Sequence, residues 1–404
     1  MTPATFWFIN HYASTPDQPS TSAFFFGREL ARRGHRVVFF ASASNYYFQQ
    51  RTKGKAWSLC HREEVDGVVF YWLATTRISS RPVARMFNML SFALVAFLVG
   101  LTRRQGPDYV IGTCPHPFAG ATAWLLSVLR RAVFIYEIRD IWPESLERYS
   151  SGFAWKIAIA FFERLQRFLY RRARLIISVL PRIDQYFADA GITVRGIAHV
   201  PNCIELTAAG SGDGIAHDPD EVFRFYYVGG FSKYQGLDVL VEAALRLAKD
   251  PGARRFELHL VGEGSERAAI EKLVRSRHAS NVFLHPPVPR HDVQKVLADS
   301  DCNLFHLLDI GEALRYGISP NKLIEYLLSG KPLIYAIPFE WQLLTEAHIG
   351  YPARCGDHDS MSEAMRAMLD TRLEEREEMG RKARELCTNF DVRTIVDRFL
   401  KALP

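Results

Sequence analysis

Cysteine is scarce and scattered: its six copies, Cys60, Cys114, Cys203, Cys302, Cys355 and Cys387, never form a Cys-x-x-Cys pair. Neither a zinc site nor a disulfide framework is indicated, and reduced cytoplasmic thiols are the simplest reading. No block of lysine and arginine interleaves with aromatics along a repeat, so a nucleic-acid partner is not expected. Long hydrophobic runs are also lacking. The longest, Met89 to Leu101, is interrupted by Ser91 and falls short of the roughly 20 residues that a spanning helix takes. The N-terminus has no basic-then-apolar export layout. The dinucleotide fingerprint is missing too, because Gly262-Glu263-Gly264 has no third glycine at the required place.

What is present is a globular composition in 404 residues, 48% hydrophobic and 23% charged, long enough for two domains. The net charge of +6 is modest and suits attraction to an anionic membrane or a phosphorylated substrate. Phe6-Trp7-Phe8-Ile9 reads as a strand, followed by a loop from Asn10, a helix from about Ala23 to Arg33, Gly34, and a second strand from Arg36 to Ala41. This strand–loop–helix–glycine–strand unit is the repeating piece of a parallel sheet with crossover helices. Further strands are expected over 68–73, 109–112, 132–138 and 175–179. Residues 204–221, with Ala208-Ala209-Gly210-Ser211-Gly212-Asp213-Gly214, read as a linker. The pattern then restarts with strands over 223–228, 257–261, 282–284, 302–307 and 333–337. The chain is thus two successive α/β halves, 1–203 and 222–385, which together would form a cleft. In such sheets ligands bind beyond the carboxyl ends of the strands.

The candidate chemistry lies at those ends. The stretch from Gly317 to Pro332 reads as a helix start aimed at a ligand. Ser319 and Asn321 can cap, Pro320 fits the first helical position, and Gly330 ends the helix. Lys322 in the first turn opposes the helix dipole, which points to a bound anion, and Glu325 follows one turn later. An ordinary capped surface helix is the bland alternative. Gly229-Gly230-Phe231-Ser232-Lys233 allows backbone N–H groups to approach a phosphate with Lys233 as counter-charge, or else is a tight turn. Gly262 belongs to a weaker loop of the same kind. Arg139-Asp140-Ile141-Trp142-Pro143-Glu144 puts a charged pair at a strand end, either functional or a buried ion pair. His116, between two prolines, and His11 close two other strands, and either can equally be a packed residue. Asp218-Pro219-Asp220 and Asp299-Ser300-Asp301 could hold a metal but read as solvated, and no metal is expected. Two segments combine apolar and basic residues in the manner of an interfacial surface: Arg77, Arg81 and Arg85 before Met89–Leu101 with Arg103-Arg104 after it, and Trp155 to Tyr170. A pair of core helices would read the same way.

Taken in order, these pieces resemble the GT-B glycosyltransferases of family 4, which are retaining and use nucleotide-sugars. Within that family the chain is similar to the bacterial surface-polysaccharide subgroup (O-antigen and capsule), which includes fucosamine transferases. The likeness is carried by Asn10-His11-Tyr12, Gly34-His35-Arg36-Val37, Glu137 through Ser145, Pro201-Asn202, Tyr227-Val228-Gly229-Gly230, Leu260 through Gly264, and Ser319-Pro320-Asn321-Lys322-Leu323. The resemblance implies two Rossmann-like domains facing across a cleft, with the C-terminal helix, 386–404, packing back on the first. A nucleotide-diphospho-sugar, UDP-linked by expectation, would bind Gly229, Gly230, Lys233, Gly262, Val288, Ser319, Pro320, Asn321, Lys322 and Glu325. Glu325 matches the second Glu of the family's Glu-x7-Glu motif, which holds the ribose. The first falls on Gly317, so that contact is absent or comes from backbone. Gly230 and Gln235 stand where the family carries Arg and Lys. The acceptor, a polyprenyl-diphosphate-linked saccharide at the inner face of the plasma membrane, would meet His11, Ser20, Thr21, Arg139 and Trp142. Arg139, Asp140, Lys322 and His116 are the catalytic candidates, and no cofactor is implied. A UDP-sugar epimerase of the same architecture and a non-catalytic nucleotide- or lipid-binding protein remain as alternatives.

Overall fold

The computed structural model describes residues 2–16, 22–45, 50–51, 53, 58–76, 82–114, 117–141, 153–206, 222–309, 311, 314–339 and 341–404. The chain divides into two units: residues 1–205 with 392–404, and residues 206–391.

The first unit runs β1 (Thr5–Ile9), α1 (Ser22–Arg32), β2 (Arg36–Ser42), β3 (Ser44–Asn45), β4 (Gln50–Arg51), β5 (Cys60–Val65), β6 (Val68–Leu73), α2 (Pro82–Thr102), β7 (Tyr109–Thr113), α3 (Pro117–Arg130), β8 (Val133–Ile138), α4 (Phe153–Arg172), β9 (Leu175–Ser178), α5 (Ile183–Asp189) and β10 (Ile197–His199). Its main sheet has the order β10-β9-β8-β7-β1-β2-β6-β5. All pairings in it are parallel except that of β5 with β6. β5 was not legible as a strand. Its sequence, Cys-His-Arg-Glu-Glu-Val, carries the charges that protect a sheet edge and lacks an apolar run.

Alternation sends Phe6, Phe8, Val37, Phe39, Ile111 and Ile135 to one face, against Phe24 and Leu30 of α1. The other face holds Trp7 and Phe40, whose rings lie 5.2 Å apart, with Arg130 of α3 over Trp7. There α2, α3 and α4 form one layer: Thr122 of α3 donates to the Ala93 carbonyl of α2 at 3.2 Å, and Trp124 of α3 meets Phe168 of α4 edge-on at 4.7 Å. The apolar helix α2 is longer than the sequence run indicated. Val83–Thr102 is long and apolar enough to cross a membrane by length and composition, because Asn88, which bounds the apolar run, does not interrupt the helix.

The second unit runs β11 (Phe223–Val228), α6 (Leu237–Leu247), β12 (Phe256–Val261), α7 (Arg267–Ser276), β13 (Val282–His285), α8 (Val293–Ala298), β14 (Cys302–His306), α9 (Asn321–Ser329), β15 (Leu333–Ala336), α10 (Gln342–Thr345), β16 (Gly350–Pro352), α11 (His358–Asp370) and α12 (Leu373–Cys387). Its sheet, β13-β12-β11-β14-β15-β16, is wholly parallel. Strand order reverses between β11 and β14, the place where a doubly wound sheet opens a crevice.

The last helix, α13 (Val392–Ala402), returns to the first unit, where Ile395, Val396 and Phe399 are fully buried in the α1 face. Each such side chain contributes about 1.5–3 kcal/mol of burial. The return begins at Val392, not 386: Leu386 and Cys387 are buried at the end of α12 in the second unit, and a 3-10 turn, Thr388–Phe390, closes that unit.

Candidate active site

In the second unit the site forms where β11 and β14 diverge. Loop Gly229-Gly230 leaves β11, and α9 starts nearby. Pro320 is not the first helical residue. It stands at the cap position in extended conformation, φ −77° and ψ 129°, and makes no side-chain cap bond. Its carbonyl accepts the Leu323 N–H at 3.2 Å.

Lys322 runs back from this helix beside Gly229, where an added Cβ would lie 3.3 Å from the Lys322 Cδ. Its ammonium sits over the rings of Tyr227 at 4.6 Å and Phe305 at 5.1 Å. It donates to Gln235 Oε1 and, at 3.2 Å, to the Tyr227 hydroxyl. Those partners are neutral, so burial pushes Lys322 down from the ordinary lysine value to about 7. Gln235, the residue standing where the family carries Lys, thus accepts from Lys322. It is held in turn by His306, whose Nδ1 donates to the Gln235 carbonyl at 2.8 Å while Nε2 accepts from the Gly356 N–H at 3.2 Å. Burial lowers the His306 pKa, and that neutral tautomer fits both bonds. The next residue must be glycine: Gly236 has φ +59°, and a Cβ there would fall 2.4 Å from the His306 ring.

Glu325 lies one turn beyond Lys322. Its Oε1 accepts from Arg290 at 2.8 Å and its Oε2 from Gln294 at 2.7 Å. Both side chains of the Arg290–Glu325 pair are largely buried, 18% and 13% exposed. Sequence reasoning missed Arg290 and Gln294. They lie 35 and 31 residues from Glu325, and only the packing of α8 beside α9 brings them together.

The glycines separate into two kinds. Gly262 is buried with φ +152°, and a Cβ there would meet the Gly229 carbonyl at 1.9 Å. Its role is close packing of two strand-end loops rather than direct donor contact. Gly230 is exposed, and a Cβ there would meet nothing within 4 Å, so sterics do not require glycine at that place. Gly317, where the first motif Glu was expected, has φ +97°, a backbone that disfavours any side chain. Lys233 is exposed in a 3-10 turn, Lys233–Gln235, and Val288 is half-buried between β13 and α8. Asp301 is structural: its carboxylate accepts the Arg224 N–H at 2.8 Å.

In the first unit β8 ends in Glu137, Ile138, Arg139 and Asp140. The Arg139–Asp140 ion pair, the bland alternative to a functional role, does not form: residues 137 and 139 share a strand face, and Arg139 pairs with Glu137. Arg139 bonds Glu137 Oε1 at 2.9 Å and Asn202 Oδ1 at 2.5 Å, while Thr113 donates to Glu137 Oε2 at 2.7 Å. Asp140 follows at the surface, its pKa moved upward by desolvation, with Arg139 opposing the shift. Arg139 and Glu137 line a pocket with Asn10, Ser22, Pro201 and Cys203, with a cavity volume of about 30 Å³, room for one water. His11 is 3% exposed and stacked between Tyr12 at 4.7 Å and Phe92 at 4.4 Å. Ser20, Thr21, His116, Trp142, Arg77, Arg81 and Asp218–Asp220 lie outside the described residues.

Two doubly wound α/β units in one chain are the architecture of the GT-B class. Residues 26–203 match the glycosyl transferase 4-like domain, and residues 216–386 match the glycosyl transferases group 1 domain. The chain is 23% identical over 318 residues to the putative colanic acid biosynthesis glycosyl transferase WcaI of Escherichia coli, covering 74% of this chain and 75% of that one. Among solved structures it is similar to sucrose-phosphate synthase from Thermosynechococcus elongatus, with a TM-score of 0.73, 14% identity and 98% of both chains covered. It is also similar to HepE of Anabaena in complex with UDP, with a TM-score of 0.68, 14% identity and 98% of both chains covered. The chain belongs to the family-4-type glycosyltransferases of GT-B fold.

Proposed function

We propose that this transferase moves a sugar, with retention at the anomeric carbon, from a UDP-linked donor to a polyprenyl-diphosphate-linked saccharide, working at an anionic membrane surface on the cytoplasmic side. The observation that carries the proposal is the pairing of Lys322 and Glu325 on the first turns of α9. One is a cation matched only to neutral partners, the other a carboxylate fixed for hydroxyl recognition. Glu325 would accept from the ribose hydroxyls. Lys322, the N–H groups at the α9 start, Gly229-Gly230 and Lys233 would take the diphosphate. As the anomeric C–O bond breaks, negative charge grows on the β-phosphate. Lys322 and the helix start oppose it, and the departing oxygen can assist the incoming hydroxyl. Arg139 and Asp140 serve the acceptor in this reading, and neither metal nor cofactor is called upon. Structures of HepE with UDP and with UDP-glucose support the choice of nucleotide by similarity of fold.

A thermal-shift screen of UDP-, GDP- and dTDP-sugars tests the donor. UDP-sugars are expected to raise the melting temperature of the wild type and not of Glu325→Ala. Stabilisation by another nucleotide alone overturns the UDP assignment. Conversion of the UDP-sugar without acceptor and without UDP release would identify an epimerase instead.

A further inference from the structure

Of the fifteen large apolar side chains that stand exposed among the described residues, eleven lie on the three adjoining helices α2, α3 and α4. On α2 they are Val83, Phe87, Leu90, Leu94, Leu98 and Leu101, between 39% and 61% exposed and spaced as one helix face. The next helix continues the surface with Leu125, Val128 and Leu129, and α4 adds Ile157 and Phe161. A soluble monomer's largest apolar patch is roughly 300–600 Å² and is often functional. This one spans three helices.

Charge says what covers it. Within the three helices there are seven Lys and Arg against one acid, Glu163. As crossover helices of a parallel sheet, all three run in the same direction, so their C-terminal ends share one edge. There the exposed Arg104, Arg131, Arg171, Arg172 and Arg174 collect. A second copy would bring the same cations face to face, which argues against self-association. Nor can α2 be lipid-wrapped on all sides while it stays in this unit, because Phe92 and Ala96 on its inner face are fully buried in protein. One apolar side and a cationic edge describe a helix layer lying in the plane of an interface.

We infer that the outer face of α2, α3 and α4 docks on an anionic phospholipid bilayer, with the α2 stripe immersed at the acyl boundary and the arginine edge on the headgroups. This rests on the proposed working place at an anionic membrane and specifies which surface meets it. Each leucine of the stripe contributes by the apolar area it buries, and the arginines add a salt-sensitive attraction.

Flotation with vesicles of phosphatidylcholine, with or without 30 mol% phosphatidylglycerol (about the anionic share that gives a cytoplasmic-type surface potential), tests the inference on the full chain. Wild type should float with the anionic vesicles, less so at high salt. Leu94→Glu/Leu98→Glu should bind about tenfold or more weakly. Leu59→Glu, at a position 71% exposed but off this face, should bind as wild type does. Phe87→Trp supplies a readout that does not depend on destabilising the surface: its fluorescence should be quenched by brominated lipid, and that of Leu59→Trp should not. Failure of wild type to float, or equal binding by Leu94→Glu/Leu98→Glu, overturns the inference. So does a wild-type dimer, seen by light scattering, that the same variant dissolves. Transfer to a water-soluble acceptor analogue is read separately. Lost transfer with intact vesicle binding defeats the enzymatic reading alone, and the reverse defeats the docking face alone.

Discussion

Arg290 donates to Glu325 Oε1 at 2.8 Å, and this bond orients the carboxylate. Gln294 holds the other oxygen and also the Glu325 backbone carbonyl, at 3.0 Å. A group fixed before its ligand arrives loses little entropy on binding. Arg290→Ala should therefore cost twice. UDP affinity should fall about 10–100-fold, and stability should drop by about 1–3 kcal/mol, since a largely buried carboxylate loses a charged partner. Calorimetric titration and urea unfolding read the two effects. Unchanged UDP affinity would remove Glu325 from the nucleotide site.

Lys322 makes a prediction in pH. The unfolded chain holds this proton up to the ordinary lysine value of 10.5, whereas the folded chain releases it at about 7. Between these values the unfolded state binds more protons, so stability rises with pH across the window and the full penalty applies below 7. Lys322→Met should accordingly stabilise the protein more at pH 6 than at pH 9.5, by about 3 kcal/mol. Donor binding should go the other way. A diphosphate favours the ammonium form, so affinity falls as pH rises through 7, and binding near pH 8 takes up a proton. Titrations in buffers of different ionisation enthalpy measure that uptake.

The two glycine kinds should behave oppositely. Gly262→Ala presses a methyl group against the Gly229 carbonyl and should destabilise the second unit by several kcal/mol, as overpacking against backbone does. Gly230→Ala meets open space and should leave the melting temperature within about a degree. If backbone approach to phosphate matters there, it should weaken UDP binding all the same.

Gly317→Glu would restore the family's first motif residue in sequence only. At φ +97° the new side chain carries a strain of roughly 1–3 kcal/mol. The variant is expected to melt earlier with no gain in donor affinity. A gain would show that the loop can rearrange around a carboxylate.

The two α/β units were legible because strands such as Phe6-Trp7-Phe8-Ile9 and Phe223–Val228 are buried on both faces and read as apolar runs. Glu325 and Lys322 were legible because they fall on the turns of a single helix. Arg290, Gln294 and Asn202 were not. Each reaches its partner from another element, and nothing in local spacing marks a long-range hydrogen bond. The Arg139 partner was not legible for a related reason: adjacency in sequence offered Asp140 as the alternative, while strand alternation selects Glu137. The apolar helix α2 looked shorter than it is because Asn88 breaks a run on paper but does not break the helix.

Helix α13 has a bearing on how the protein is made. Its Ile395, Val396 and Phe399 complete the core that Phe6 and Phe26 begin, yet they are synthesised after the whole of the second unit, 206–391. Domains generally mature in order of synthesis. Here the order is inverted: the half begun first must wait, with its α1 face uncovered, until α13 has followed the second unit. A chain stopped after Asp391 would carry a finished second unit and an unsealed first one, so loss of residues 392–404 should damage the first unit more than the second.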